Sequence, residues 1–161
     1  YYCMMIPMRK AKNVITTLTD YATDEDADRR MLSILLENYE NVYIWLQGSG
    51  DYEYLRQFTE MRQLHIIEPN LDKYTYKLQS GEIDYVGTRL HAGIHAQKVR
   101  TIILAVDNRA VEMGRDFNLP VIRRSLIEEK LQSMIQSEWS TNIVIPEENI
   151  QKWKAQFEEK N

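Results

Sequence analysis

The chain has 161 residues, 43% hydrophobic and 27% charged, with a net charge of −4, enough for one domain with a real core and ordinary for a soluble globular protein. No apolar run approaches the roughly 20 residues that cross a bilayer, and the acidic balance argues against a strongly basic nucleic-acid surface; neither nucleic acid nor a membrane span is expected. The single cysteine, Cys3, excludes an internal disulfide and fits a reducing compartment.

The chain opens on an apolar run, Tyr1-Tyr2-Cys3-Met4-Met5-Ile6-Pro7, followed by Arg9, Lys10 and Lys12. Charges after the run, rather than before it, do not fit a signal peptide. Residues 1–12 read as a leader, linker or cloning remnant, and the chain as a piece of a longer protein. A single domain is expected over 13–161, with C-terminal helices in 125–161.

Asn13 to Thr19 is a β-branched run and predicts the first strand. Asp20 to Asp28 is polar and acidic, with Asp24 or Asp26 as cap of a helix from about Ala27 to Tyr39. A second strand begins at Asn41, runs through Gln47 and ends at a tight-turning Gly48-Ser49-Gly50-Asp51 loop. Tyr52 to Thr59 reads as a short helix, Leu64 to Ile67 as a strand stopped by Pro69, and Leu71 to Leu78 as a helix. Ile83 to Val86 is a fourth strand, feeding a helix from Arg89 to about Lys98. Thr101 to Val106 is a fifth, followed by a helix from about Arg109 to Asp116. After Pro120 comes a brief strand at Val121-Ile122, then helices from Ser125 to about Trp139 and from Pro146 to Glu158.

Strands that alternate with helices and are apolar on both faces imply a parallel sheet covered on two sides. The expected fold is a Rossmann-like three-layer α/β sandwich with a mostly parallel sheet. Its ligand edge lies beyond the carboxyl ends of the strands, which brings the loops at Thr19-Asp20, Gln47 to Asp51, Gly87-Thr88 and Asp107-Asn108-Arg109 to one edge.

The segment Asp84-Tyr85-Val86-Gly87-Thr88-Arg89-Leu90-His91-Ala92 is a short strand turning directly into a helix. With Thr88 as N-cap, Arg89, Leu90 and His91 would occupy the first turn, where free N–H groups and the helix dipole favour an anion. Arg89 offers a planar fork for carboxylate or phosphate, and an imidazole at His91 can move a proton near neutral pH. The plainer alternative is that both residues cap the helix or pair with Asp84 or Asp107. His91 and His95 have zinc-ligand spacing, but no third ligand is evident, so no metal is expected. Gln47, Asp51 and Asp20 stand at the ligand edge as substrate contacts. Gly48-Ser49-Gly50 is a weak phosphate loop, and His65 reads as structural. Tyr39, Tyr43, Trp45 and Tyr52 offer sugar-stacking faces or plain core.

Together with Thr101-Ile102-Ile103-Leu104-Ala105-Val106-Asp107-Asn108-Arg109, this segment resembles the polysaccharide pyruvyl transferase family. That family's pattern is a strand, a Ser or Thr, then Arg-x-His opening a helix, and about 20 residues later a strand ending in an acidic residue and a Lys. The resemblance spans about residues 13–124, and its specific part is Arg89-Leu90-His91. It implies the C-terminal half of a two-domain GT-B-like enzyme that transfers pyruvate from phosphoenolpyruvate to a sugar of a cell-surface polysaccharide, as a ketal. It implies His91 as general acid, with Arg89, Arg109, Thr88 and Gly87 around the donor's anionic groups. No cofactor is implied beyond phosphoenolpyruvate as donor substrate. The implied partners are a missing N-terminal half, phosphoenolpyruvate and a glycan or lipid-linked saccharide acceptor, and the implied place is cytoplasmic or peripheral at the inner membrane face. Arg109 stands where the family has Lys, and the usual Gly-x-Pro before that strand is lacking. Exposed positions such as Trp153 and Phe157 would serve a helix that crosses to the other half, and a half-enzyme would fold without turning over. The alternatives are a nucleotide-sugar glycosyltransferase of GT-B fold and a non-catalytic binding domain that keeps the fold.

Overall fold

The computed structural model describes residues 6–145 and 147–158. Cys3, most of the N-terminal apolar run, and Pro146 lie outside the described residues. Six parallel strands form one sheet in the order β3-β2-β1-β4-β5-β6. They are β1 (Asn13–Thr16), β2 (Asn41–Trp45), β3 (His65–Ile67), β4 (Ile83–Gly87), β5 (Thr101–Ala105) and β6 (Val121–Arg123). The fold is α/β and fits the Rossmann-like three-layer sandwich expected from the sequence. Strand order reverses between β1 and β4, in register Asn13 opposite Ile83 and Ile15 opposite Tyr85, and a crevice opens beyond the strand ends at such a reversal.

Both sheet faces are dry, because successive residues of each strand point to opposite sides. Val14, Val86, Ile102 and Leu104 join one core with helix α1 (Glu25–Asn38), helix α2 (Ser49–Leu55) and Ile127, Leu131 and Ile135 of the C-terminal helical segment. Ile15, Tyr85, Ile103 and Ala105 join the other, under α3 (Leu71–Gln79), α4 (Leu90–His95) and α5 (Asn108–Phe117). Of the aromatics, Trp45 is buried and stacks on Tyr74 with centroids 4.1 Å apart, while the buried Tyr39 donates to Asp84 Oδ2 at 2.8 Å. Tyr52 alone of the four expected sugar faces is exposed; Tyr43 is half-buried under Lys77.

Three local expectations are corrected. Thr88 does not cap α4: its hydroxyl is engaged by Thr17 O at 3.1 Å and Thr19 Oγ1 at 2.8 Å, so Arg89 takes the N-cap position without a side-chain cap. The stretch after Gly48 is not a loop, since Ser49 already starts α2 and Asp51 folds back to accept from Gln47 N at 2.8 Å. The helix from Ser125 stops at Gln136, after a 3-10 turn (Arg124–Leu126), a π turn (Ile127–Leu131) and α6 (Gln132–Gln136). Trp139 instead turns back, donating from its indole to Met134 O at 2.9 Å. Asp24 does cap α1, accepting from Ala27 N at 3.1 Å. No described helix is long and apolar enough to cross a membrane. The last helix, α7 (Glu147–Glu158), leaves Trp153 and Phe157 exposed, edge-on to each other at 4.9 Å.

Gly87 is a packing residue. A Cβ there would stand 2.5 Å from Thr17 Oγ1, 2.8 Å from Thr17 N and 2.8 Å from the Tyr85 hydroxyl. Gly87→Ala should therefore push β4 off β1 at the sheet's carboxyl edge and destabilise the fold by about 1–3 kcal/mol, read in a urea titration; a loss under a few tenths would mean the loop after β1 yields freely.

Beneath α1, the buried Asp28 accepts from the Tyr54 hydroxyl at 2.7 Å, and its Oδ1 has no partner among the described residues. Burial pushes its carboxyl up from the ordinary range, against the Tyr54 hydrogen bond and the charge of Arg124. A raised carboxyl favours the folded state below the ordinary carboxylate range and loses that contribution as pH rises through the raised value. Asp28→Asn lacks this titration, so the wild type should lose stability relative to it between about pH 4 and pH 7. Denaturation curves at the two pH values check this, and parallel behaviour of both proteins would refute it.

Candidate active site at the carboxyl edge of the sheet

The end of β4 is tied to the loop after β1 by a compact network. Thr17 Oγ1 and the Tyr85 hydroxyl are 2.7 Å apart, Tyr85 donates to Arg89 O at 3.0 Å, and Arg89 N donates to Thr17 Oγ1 at 3.3 Å. This knot fixes the Arg89 backbone at the strand reversal.

The Arg89 side chain then reaches across the crevice. Its Nε donates to Leu18 O at 3.0 Å, and its Nη2 bridges Asp20 Oδ1 at 3.2 Å and Asp51 Oδ1. Asp51 is buried, and its other oxygen holds the β2–α2 turn through Gln47 N. Gly50 backs directly onto Asp20, where a Cβ would meet the carboxylate at 2.5 Å. The plainer alternative therefore holds in part: Arg89 is paired, though with Asp20 and Asp51 rather than Asp84 or Asp107. Its Nη1 makes no hydrogen bond among the described residues.

A cavity of about 270 Å3 opens beside it, lined by Thr88, Arg89, His91, Gln47, Arg109 and the ring of Tyr21, among others. Of the residues singled out for the site in the sequence, Thr88, Arg89, His91, Gln47 and Arg109 meet here. Asp20 and Asp51 are bonded to Arg89 instead, and Gly87 lies in β4. Arg109, at the start of α5, is held across the cavity by Asp107 through Nε at 3.0 Å and Nη2 at 2.7 Å, and by the Tyr21 hydroxyl at 3.3 Å. Asp107 also caps α5, accepting from Arg109 N and Ala110 N. The Arg109 guanidinium and these amides hold the Asp107 carboxyl below the usual range. Tyr21 comes from an irregular loop with no pattern to announce it.

His91 is exposed, lines this cavity and makes no hydrogen bond among the described residues. His95 points elsewhere, its Nε2 2.9 Å from Thr75 Oγ1 and its ring 5.7 Å from Tyr74. His65 lies against Tyr43 at 5.0 Å. Among the described residues, no group of three or more His, Cys, Asp or Glu is placed to hold a metal ion. Chemically, the cavity offers two oriented guanidinium groups for an anion and an uncommitted imidazole for proton transfer. No family model matches the chain, and neither a curated protein nor a solved structure matches it.

Proposed function

We propose that this chain is the donor-binding, C-terminal half of an enzyme that transfers pyruvate from phosphoenolpyruvate to a sugar of a cell-surface polysaccharide. The reading rests on the sequence resemblance and on one observation above all: His91, with no hydrogen bond among the described residues, lines the same cavity as Arg89 and Arg109. Ketal formation needs a proton on the methylene carbon of the donor, giving an oxocarbenium that a sugar hydroxyl attacks. A second hydroxyl then displaces phosphate and closes the ring. His91 supplies the proton; Arg109, with the open Nη1 of Arg89, neutralises the donor and the departing phosphate. The cavity's size favours this donor over a nucleotide sugar, because sites for drug-sized ligands run to roughly 300–1,000 Å3.

A non-catalytic binding domain is the second reading, favoured by the pairing of Arg89 with Asp20 and Asp51. Calorimetry with phosphoenolpyruvate at low ionic strength, where exposed charges are least screened, separates the two. The enzyme reading expects saturable binding that Arg109→Ala weakens most and Arg89→Lys weakens less but measurably, since a point charge cannot replace the fork. No binding by the full-length protein, with saturable binding of a nucleotide sugar, would move the assignment to a glycosyltransferase. Binding of neither would leave the non-catalytic domain.

A further inference from the structure

Arginines with little exposure are usually paired, and among the described residues Arg124 is the exception. Arg100 is tied to a carboxylate and two carbonyls, and Arg89 to two carboxylates and a carbonyl. Arg124 is 8% exposed and has neither a hydrogen bond nor an ion pair among the described residues. It lines a second cavity of about 470 Å3, beyond the ends of β5 and β6 and separated from the first by Val106 and Asp107.

The acids nearby are already committed. Asp107 is neutralised by Arg109 and caps α5, and Asp24 caps α1. Asp28 lies within electrostatic range of Arg124 but makes no contact with it, and burial disfavours its charge. Around the same cavity the side chains of Thr23, Asn108 and Ser125 also make no hydrogen bond among the described residues. Asn108 is the first residue of the ten-residue helix α5, so its dipole end favours an anion as well. Ala22, on the cavity wall, holds φ at 50°, a left-handed conformation that an alanine adopts only under constraint.

We infer that this second cavity is an oxyanion site in which the Arg124 guanidinium receives a phosphate group, with Asn108 and Ser125 as neutral donors. It stands on its own and does not depend on what the first cavity binds. Its position along the same edge suits a phosphate carried by a second substrate.

Inorganic phosphate titrated into the 15N-labelled protein tests this, with Arg124→Gln and Arg109→Ala beside the wild type. Saturable shifts at Thr23, Asn108, Ser125 and the Arg124 side-chain N–H are expected. Arg124→Gln should weaken binding at least tenfold, whereas Arg109→Ala, which leaves Asp107 on the cavity wall without its countercharge, should weaken it by less. If Arg124→Gln fails to fold, Ser125→Glu, which sets a carboxylate at the exposed rim, should abolish the response instead. Shifts confined to the Gln47, Arg89 and His91 region would support the first cavity and overturn this one. Shifts that persist at Asn108 and Ser125 in a folded Arg124→Gln or Ser125→Glu protein would overturn it too. Methyl phosphate in the same titration separates the sources: binding comparable to inorganic phosphate indicates a phosphate borne on a larger substrate, whereas binding of inorganic phosphate alone indicates the free ion.

Discussion

Arg100→Ala should cost the fold about 3–5 kcal/mol, the loss expected when one partner of a buried ion pair is removed, and lower the melting temperature by on the order of 10 °C. Arg100 is 1% exposed and lies 3.3 Å from Asp84 Oδ2, an oxygen that also accepts from the Tyr39 hydroxyl and from Ala11 N. Its Nη2 donates to Met134 O at 2.6 Å and Ser137 O at 2.7 Å, the carbonyls that end α6. The guanidinium lies 4.8 Å from the centre of the Trp139 ring. One side chain thus clasps β4, the segment before β1 and the end of the C-terminal helix at the amino edge of the sheet. Truncation leaves Asp84 buried without its countercharge and two carbonyls without a donor. Asp84→Leu combined with Arg100→Met should cost less than the two single changes summed, because no charge is then stranded. Urea denaturation of the four proteins measures the coupling. Additive losses, or a loss under about 1 kcal/mol for Arg100→Ala, would mean that water hydrates the guanidinium and the clasp carries nothing.

That clasp also shows where sequence reading stops. Asp84 and Arg100 sit at the edges of strands whose apolar pattern is plain, and the pattern is what made β4 and β5 legible. Nothing local says that a charge at the strand margin is buried, since burial depends on Tyr39 and Ser137, 45 and 37 residues away. The same holds at the carboxyl edge. Arg89, His91, Arg109, Thr88 and Gln47 could be grouped from sequence because a parallel sheet delivers consecutive loops to one rim. The partners of Arg89 could not, because Asp20 and Asp51 reach it through a turn whose shape depends on Gly50 packing against Asp20. The Thr88 cap failed for a related reason: its hydroxyl is turned to Thr17 O and Thr19 Oγ1 in the loop after β1, away from the helix amides it would accept from. Arg124 gave no signal at all. It stands in an Arg-Arg pair that reads as solvated surface, yet it is 8% exposed in the fold.

The pairing of Arg89 has a consequence for how the first cavity would work. A guanidinium already bonded to Asp20, Asp51 and Leu18 is fixed in place, so an anion meets an oriented donor and loses little to side-chain ordering. The two carboxylates also dilute its charge, which leaves Arg109 as the more available cation. Arg109 is in turn positioned by Asp107, whose carboxyl it holds below the usual range.

On the pyruvyl-transfer proposal, His91→Ala should lower turnover by about 10²–10⁴-fold, the usual contribution of a positioned proton donor, with phosphoenolpyruvate affinity largely intact. The division follows from the geometry: the guanidinium groups that would hold the donor stand at the end of β4 and at the start of α5, fixed by Asp20, Asp51 and Asp107, and among the described residues neither is hydrogen-bonded to His91. Removing the imidazole therefore removes an interaction used in the transition state and leaves ground-state binding alone, so kcat falls and KM does not rise. Arg109→Ala should do the reverse in part, raising KM along with any loss of kcat. A structural role for His91 would show as lost stability, yet its side chain is exposed and makes no hydrogen bond among the described residues. Normal turnover at saturating donor, with affinity lost instead, would make His91 a binding residue and leave the proton to a group from another part of the protein.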